Sequence, residues 1–182
     1  MNVTLFWIFS ILFILIRARF HQRELDGQKE FSPTREHWMA GQFSLILLGT
    51  HGWWLNNAIP TDLLSILMWF GVCLMGGSIP LLYWVHHSLG RFFSARLVIQ
   101  EDHQIIQEGP YKWIRHPMYT VGFSYLIGAG LLSDSMIVLC LPTLSFAFLV
   151  GLRISEEEDM LEQSNPKYRE YKQSTGRFLP KL

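Results

Sequence analysis

The chain has 182 residues, 49 % of them hydrophobic, with 15 basic side chains, 15 acidic ones and two cysteines. That length suits one domain rather than two, and two cysteines exclude a disulfide framework; zero net charge says nothing about partners, and nucleic acid is not an expected one. The apolar residues gather into blocks at 3–16, 39–59, 62–85, 118–132 and 136–152, longer than a soluble core of this size needs, and the expected class is an all-α, polytopic integral membrane protein with about five transmembrane helices.

The first block, Val3 to Ile16, has no basic residue ahead of it and no small-residue cleavage site behind it; Arg17 and Arg19 follow instead. This predicts a retained membrane helix, extended by Ala18 and Phe20, with the arginines snorkelling towards headgroups. Block 39–59 reads as a second span, with His51, Trp53 and Trp54 forming an outer interfacial belt. Residues 62–85 are long enough for a full crossing and contain Gly76-Gly77-Ser78 and Pro80, a candidate kink. Cys73 and Cys140 sit inside apolar blocks and read as small buried hydrophobes.

Segment 86–117 is polar but studded with Phe92, Phe93, Ile105, Ile106, Tyr111 and Trp113. Too apolar for a free loop and too charged to span, it is expected to lie at the interface and partly cover a pocket. His86 and His87 are adjacent, so on a helix they point apart, and no metal site is expected.

Block 118–132 has 15 residues, roughly 22 Å of helix at ~1.5 Å per residue, short of a ~30 Å hydrocarbon core. Joined by Ser133-Asp134-Ser135 to block 136–152, which carries Pro142, it reads as a tight helical hairpin. Ser124, Gly128 and Gly130 allow close approach of its backbone to a neighbour. Beyond it, an amphipathic helix with Glu156-Glu157-Glu158-Asp159 continues from the last span, interrupted near Asn165-Pro166.

Charge sets the expected topology. Every lysine and arginine lies in segments 17–37, 86–117 or 153–182, and none lies at the turns near Pro60 and Asp134. With five spans these segments share one face, which the positive-inside rule makes cytoplasmic, leaving the N-terminus outside.

Two polar clusters bracket the hairpin. One runs from His103-Gln104-Ile105-Ile106 through Gly109-Pro110-Tyr111 to Arg115-His116-Pro117-Met118-Tyr119; the other is Arg153 with Glu156-Glu157-Glu158. A hairpin brings its ends together, so a pocket holding His, Tyr, Arg and Glu is predicted at the cytoplasmic rim. The residues alone do not name its ligand. Arg115 and Arg153 also fit ordinary topology determinants, and Glu156–Asp159 a solvated helix face.

Those motifs, followed by Tyr168-x-x-Tyr171 and Arg177-Phe-Leu-Pro180, resemble in order and spacing the isoprenylcysteine carboxyl methyltransferase family, over roughly residues 86–182. Phospholipid methyltransferases share the broader pattern. The resemblance implies methyl transfer from S-adenosylmethionine. It further implies cofactor contacts at His103, Gln104, Ile105, Ile106, Tyr111, His116, Pro117, Met118, Tyr119 and Glu157, and a catalytic, substrate-binding role for Arg153. The acceptor would be a lipophilic or lipidated molecule entering from the bilayer, among membrane lipids, and most simply a carboxylate. On this division residues 1–85 hold three spans, and 86–182 hold the methyltransferase-like catalytic region with hairpin 118–152 and the tail.

The chain departs from the family pattern at Val121, where glycine is usual, at Arg96, where a cofactor-contacting glutamine is usual, and at Ser164-Asn165, in place of phenylalanine-glycine. An amine acceptor would need to lose a proton, and Glu156 or Glu158 would be the candidate base. A nicotinamide-dependent membrane reductase and a non-enzymatic membrane subunit are the alternatives of other classes.

Overall fold

The computed structural model describes residues 2–25, 62–90, 105–133 and 136–181. The expected second span at 39–59, with His51, Trp53 and Trp54, lies outside the described residues, as do Arg96, His103 and Gln104. The helices are α1 (Asn2–Leu25), α2 (Asp62–Leu89), α3 (Pro117–Ser133), α4 (Met136–Ser164) and α5 (Tyr168–Ser174), with a 3-10 turn at Gly109–Lys112 before α3. Among the described residues there is no strand beyond an isolated parallel bridge between Ile114 and Gly176.

Close backbone approach organises the bundle. A Cβ placed on Gly128 would lie 2.6 Å from the Met75 nitrogen, and one on Gly71 would lie 2.9 Å from the Gly128 carbonyl oxygen. The α2 and α3 backbones therefore touch there, as small residues permit. The partner glycine in α2 is Gly71, whereas Gly77 of the Gly76-Gly77-Ser78 cluster has open space beside it. Ser78 is buried and donates back to the Met75 carbonyl at 2.6 Å, spending its hydroxyl on its own helix. Gly130 of α3 meets Leu139 of α4, closing the hairpin.

Around the α2–α3 seam, Phe6, Met75, Tyr125, Leu126, Ala129 and Leu132 form a buried cluster joined by Phe9, Phe13 and Phe146. Tyr125 stacks on Phe13 with ring centroids 4.1 Å apart and donates its hydroxyl to Ser10 Oγ at 2.9 Å, tying α1 to α3. A second cluster of Leu82, Val85, Tyr111 and Val121 joins α2, the 3-10 turn and α3 near the polar end.

Much of the apolar surface stays uncovered. On α4, Met136, Ile137, Leu141, Leu144, Phe148 and Leu152 are exposed, a patch too large for a soluble monomer and suited to hydrocarbon. Two of the described helices have apolar stretches long enough to cross a bilayer, Ile66–Leu89 and Leu139–Ser164, and both are mostly unburied. With the family fold reported below, this makes the chain a membrane protein.

One sequence expectation changes. Cys73 and Cys140 are exposed, not buried, because both lie on outward faces of their helices. The first helix continues to Leu25 and so carries its arginines within it. Arg17 reaches across to His86 Nε2 at 3.5 Å. His86 is buried and stacks on Phe20 at 4.4 Å, while His87 stacks on Tyr83, so the two rings diverge.

Candidate functional site

The 17 residues of α3 make about 26 Å of helix, whereas the 29 of α4 make about 44 Å. The longer helix overshoots, and its overhang carries Arg153, Glu157 and Glu158 beside the start of α3. There Tyr119 donates its hydroxyl to Glu157 Oε2 at 2.9 Å. Arg153, one turn before Glu157 on α4, lies 3.8 Å from the same oxygen. The two clusters thus meet where the hairpin reading places them.

His116 stands between two carboxylates. Its Nε2 lies 3.2 Å from Glu158 Oε1 and must be the donor, since a carboxylate only accepts. Its Nδ1 lies 3.9 Å from Glu157 Oε1, too long for a hydrogen bond. The ring also stacks against Tyr119. Glu157 and Arg153 are 29 % and 34 % exposed, open to a ligand, whereas Glu158 is 1 % exposed.

Glu158 has no free face. Arg115 Nε donates to Oε1 at 3.2 Å, Arg177 contributes Nε to Oε1 at 3.1 Å and Nη2 to Oε2 at 2.6 Å, and Lys172 Nζ lies 3.4 Å from Oε2. A carboxylate so enclosed is a structural pivot and does not fit the general-base role considered for it. The contact raises the Arg177 guanidinium above its usual range.

The tail after α4 folds back through backbone bonds that no side-chain pattern announces. Arg115 N–H donates to the Gly176 carbonyl at 2.8 Å, His116 N–H to Arg177 at 3.1 Å, and Gly176 N–H to Trp113 at 3.1 Å. Arg115 Nη1 also donates to the carbonyls of Lys172 and Thr175, and Thr120 Oγ1 donates to that of Phe178 at 2.8 Å. From α5, Tyr171 donates its hydroxyl to the Tyr111 carbonyl at 2.6 Å. Burial pushes the Tyr171 phenol up to about 12. Burial and then the neighbouring Tyr171 raise Tyr111 well above the ordinary tyrosine range.

Gly109 permits the turn that delivers Tyr111. Its φ of +55° is left-handed, and a Cβ there would strike Ser88. Tyr111 and Pro117 are buried and Ile105 is half-buried, and Ile106 and Met118 pack against the Tyr111 cluster. Val121, one of the departures from the family pattern, is buried in this cluster, one turn into α3, which starts at Pro117. Of the expected residues, then, His116, Tyr119, Arg153 and Glu157 come together directly, with Tyr111, Pro117, Met118 and Ile106 in the adjoining wall. Arg115, Lys172 and Arg177 join them through Glu158; the sequence put Arg115 in the first cluster and Arg177 in the last motif without a contact to Glu158, and gave Lys172 no role beyond topology. Among the described residues, no three His, Cys, Asp or Glu side chains are grouped as a metal site would require.

The model of the isoprenylcysteine carboxyl methyltransferase family matches residues 69–163, more than half of the chain. The chain belongs to that family. The match begins within α2, earlier than the motifs suggest, and stops before the tail. The protein-S-isoprenylcysteine O-methyltransferase of Saccharomyces cerevisiae is 32 % identical over 98 residues, 52 % of this chain and 41 % of that protein. The nickel-cobalt-cadmium resistance protein NccN of Alcaligenes xylosoxydans xylosoxydans is 25 % identical over 139 residues, 76 % of this chain and 59 % of its own length. The solved structure of the eukaryotic intramembrane Ras methyltransferase of this family superposes with a TM-score of 0.59 at 22 % identity, over 84 % of this chain and 54 % of that one. At that identity the likeness shows the fold. The chain spans less than two thirds of the length of the curated relatives it matches.

Proposed function

We propose that this family member is a multi-pass membrane methyltransferase that transfers a methyl group from S-adenosylmethionine to a carboxylate on a lipophilic acceptor, at a pocket facing the cytoplasm. The observation that carries the reading is the meeting of Tyr119, Arg153 and Glu157 at one end of the α3–α4 hairpin, with Glu157 and Arg153 open to a ligand. Their chemistry fits the donor. Glu157 offers a carboxylate for an ammonium or ribose hydroxyls, and the Tyr119 face suits a cation. Tyr111, Ile106 and Met118 supply an apolar wall for a nucleobase, with His103 and Gln104 expected to complete it. When bound, the donor supplies an activated methyl on a sulfonium.

The acceptor needs little from the protein. A carboxylate has a reference pKa near ~4 and is already ionised at neutral pH, so orientation rather than a base is required. Arg153 is placed to hold one oxygen of such a group while the other faces the methyl. The enclosure of Glu158 favours this over an amine acceptor, because it removes one of the two candidate bases. The exposed apolar faces beside the hairpin support entry of the acceptor from the bilayer.

The test is to incubate membranes containing the protein with methyl-labelled S-adenosylmethionine and follow the label by mass spectrometry. Label in a base-labile ester of an amphiphile is the expected result. Label confined to a headgroup amine would overturn the carboxylate assignment.

A further inference from the structure

The tail beyond residue 163, outside the matched family range, supplies two of the cations that hold Glu158, Lys172 and Arg177, beside Arg115. Among the described residues, Arg177 alone grips both oxygens of that carboxylate, at 3.1 and 2.6 Å. A two-pronged guanidinium–carboxylate contact fixes orientation as well as position, which a lysine cannot do. Glu158 in turn takes the Nε2 proton of His116 at 3.2 Å, and the opposite ring nitrogen faces Glu157 at 3.9 Å. His116 stacks on Tyr119, whose hydroxyl holds the other oxygen of Glu157. The order of contacts runs by hydrogen bonds from Arg177 through Glu158 to His116, then by ring packing to Tyr119, which holds Glu157.

The backbone of the same segment is pinned independently. His116 N–H donates to the Arg177 carbonyl and Thr120 to that of Phe178, so the tail has docking contacts that do not use the guanidinium. Its distinct effect is on the rotamer of a buried carboxylate next to the site.

We infer that Arg177 is a positioning residue for the donor pocket, acting through Glu158 and His116 to hold Glu157 in its binding orientation. This rests on the donor reading above, and the experiment separates the two. Full-length wild type, Arg177→Ala and Arg177→Lys are purified in detergent and titrated calorimetrically with S-adenosylhomocysteine as the probe. Affinity and stoichiometry are read separately.

Arg177→Ala is expected to bind about tenfold more weakly at unchanged stoichiometry, in the range by which outer residues tune a binding group. Arg177→Lys keeps the charge without the fork and is expected to recover part of the loss, to about threefold below wild type. Unchanged affinity in both variants would overturn the inference. So would a fall in stoichiometry with the remaining sites binding normally, or an Arg177→Ala chain that fails to fold beside an Arg177→Lys chain of wild-type affinity. Those outcomes would make the arginine a structural contact only. No binding by the wild type would instead remove the donor reading, and the inference with it.

Discussion

Glu157 and Glu158 are neighbours in the chain and opposite in role. One is open, held by a phenol and a loose arginine; the other is buried among Arg115, Lys172, Arg177 and His116. The sequence alone left this run readable as a solvated face, because a charge string on a helix carries no sign of which side meets a partner. Arg153, adjacent to the open carboxylate, is proposed to hold the acceptor. Arg153→Ala is therefore expected to retain S-adenosylhomocysteine affinity within about twofold while losing turnover by about a hundredfold, the scale of misplacing a reacting group. Labelled-methyl transfer and titration on the same preparation check it. Tyr171 allows a pH test. Its folded pKa of about 12 lies above the ~10 of an unfolded tyrosine, so the neutral phenol stabilises the docked tail below pH ~10. That stability is lost as pH rises from there through the folded value. Thermal melts of wild type are expected to fall steeply across this window, and those of Tyr171→Phe, which has no proton to lose there, less so and from a lower starting point.

At the scale of elements, two observations decide the geometry: α3 is short, and its Gly128 lies against the Gly71–Met75 stretch of α2. The short block and the interruption at Asn165-Pro166 were legible because apolar length and proline punctuation are local properties of the chain. The choice of Gly71 over Gly76-Gly77 was not, since the contact depends on how two helices rotate about each other. Nor was the tail's docking legible, because its bonds from residues 113–116 to 176–177 are backbone to backbone and leave no trace in side-chain type. Gly128→Val would drive a branched side chain into the α2 backbone at a site with nowhere to collapse. A loss of about 1–3 kcal/mol is expected, read as a lower melting temperature in detergent. The same substitution at Gly77, beside open space, should shift the melt much less. Equal effects at the two glycines would contradict the seam described here.

For the whole molecule, the apolar blocks announced a membrane protein because few other solutions tolerate so much exposed Leu, Ile and Phe. The hairpin told which polar segments would meet. The family was legible from ordered motifs, although its match begins within α2 and omits the tail that braces the site. What unifies these scales is the meeting of the segment before α3 with the overhang of α4, which we propose binds a methyl donor. Calorimetric titration of the purified full-length chain with S-adenosylhomocysteine tests this most directly, run beside Glu157→Ala. One saturable site per chain in the wild type, and none in the variant, is the expected result. No heat of binding in the wild type at about 1 mM ligand, where a site worth only ~4 kcal/mol would be half filled, would contradict it, as would undiminished binding by Glu157→Ala.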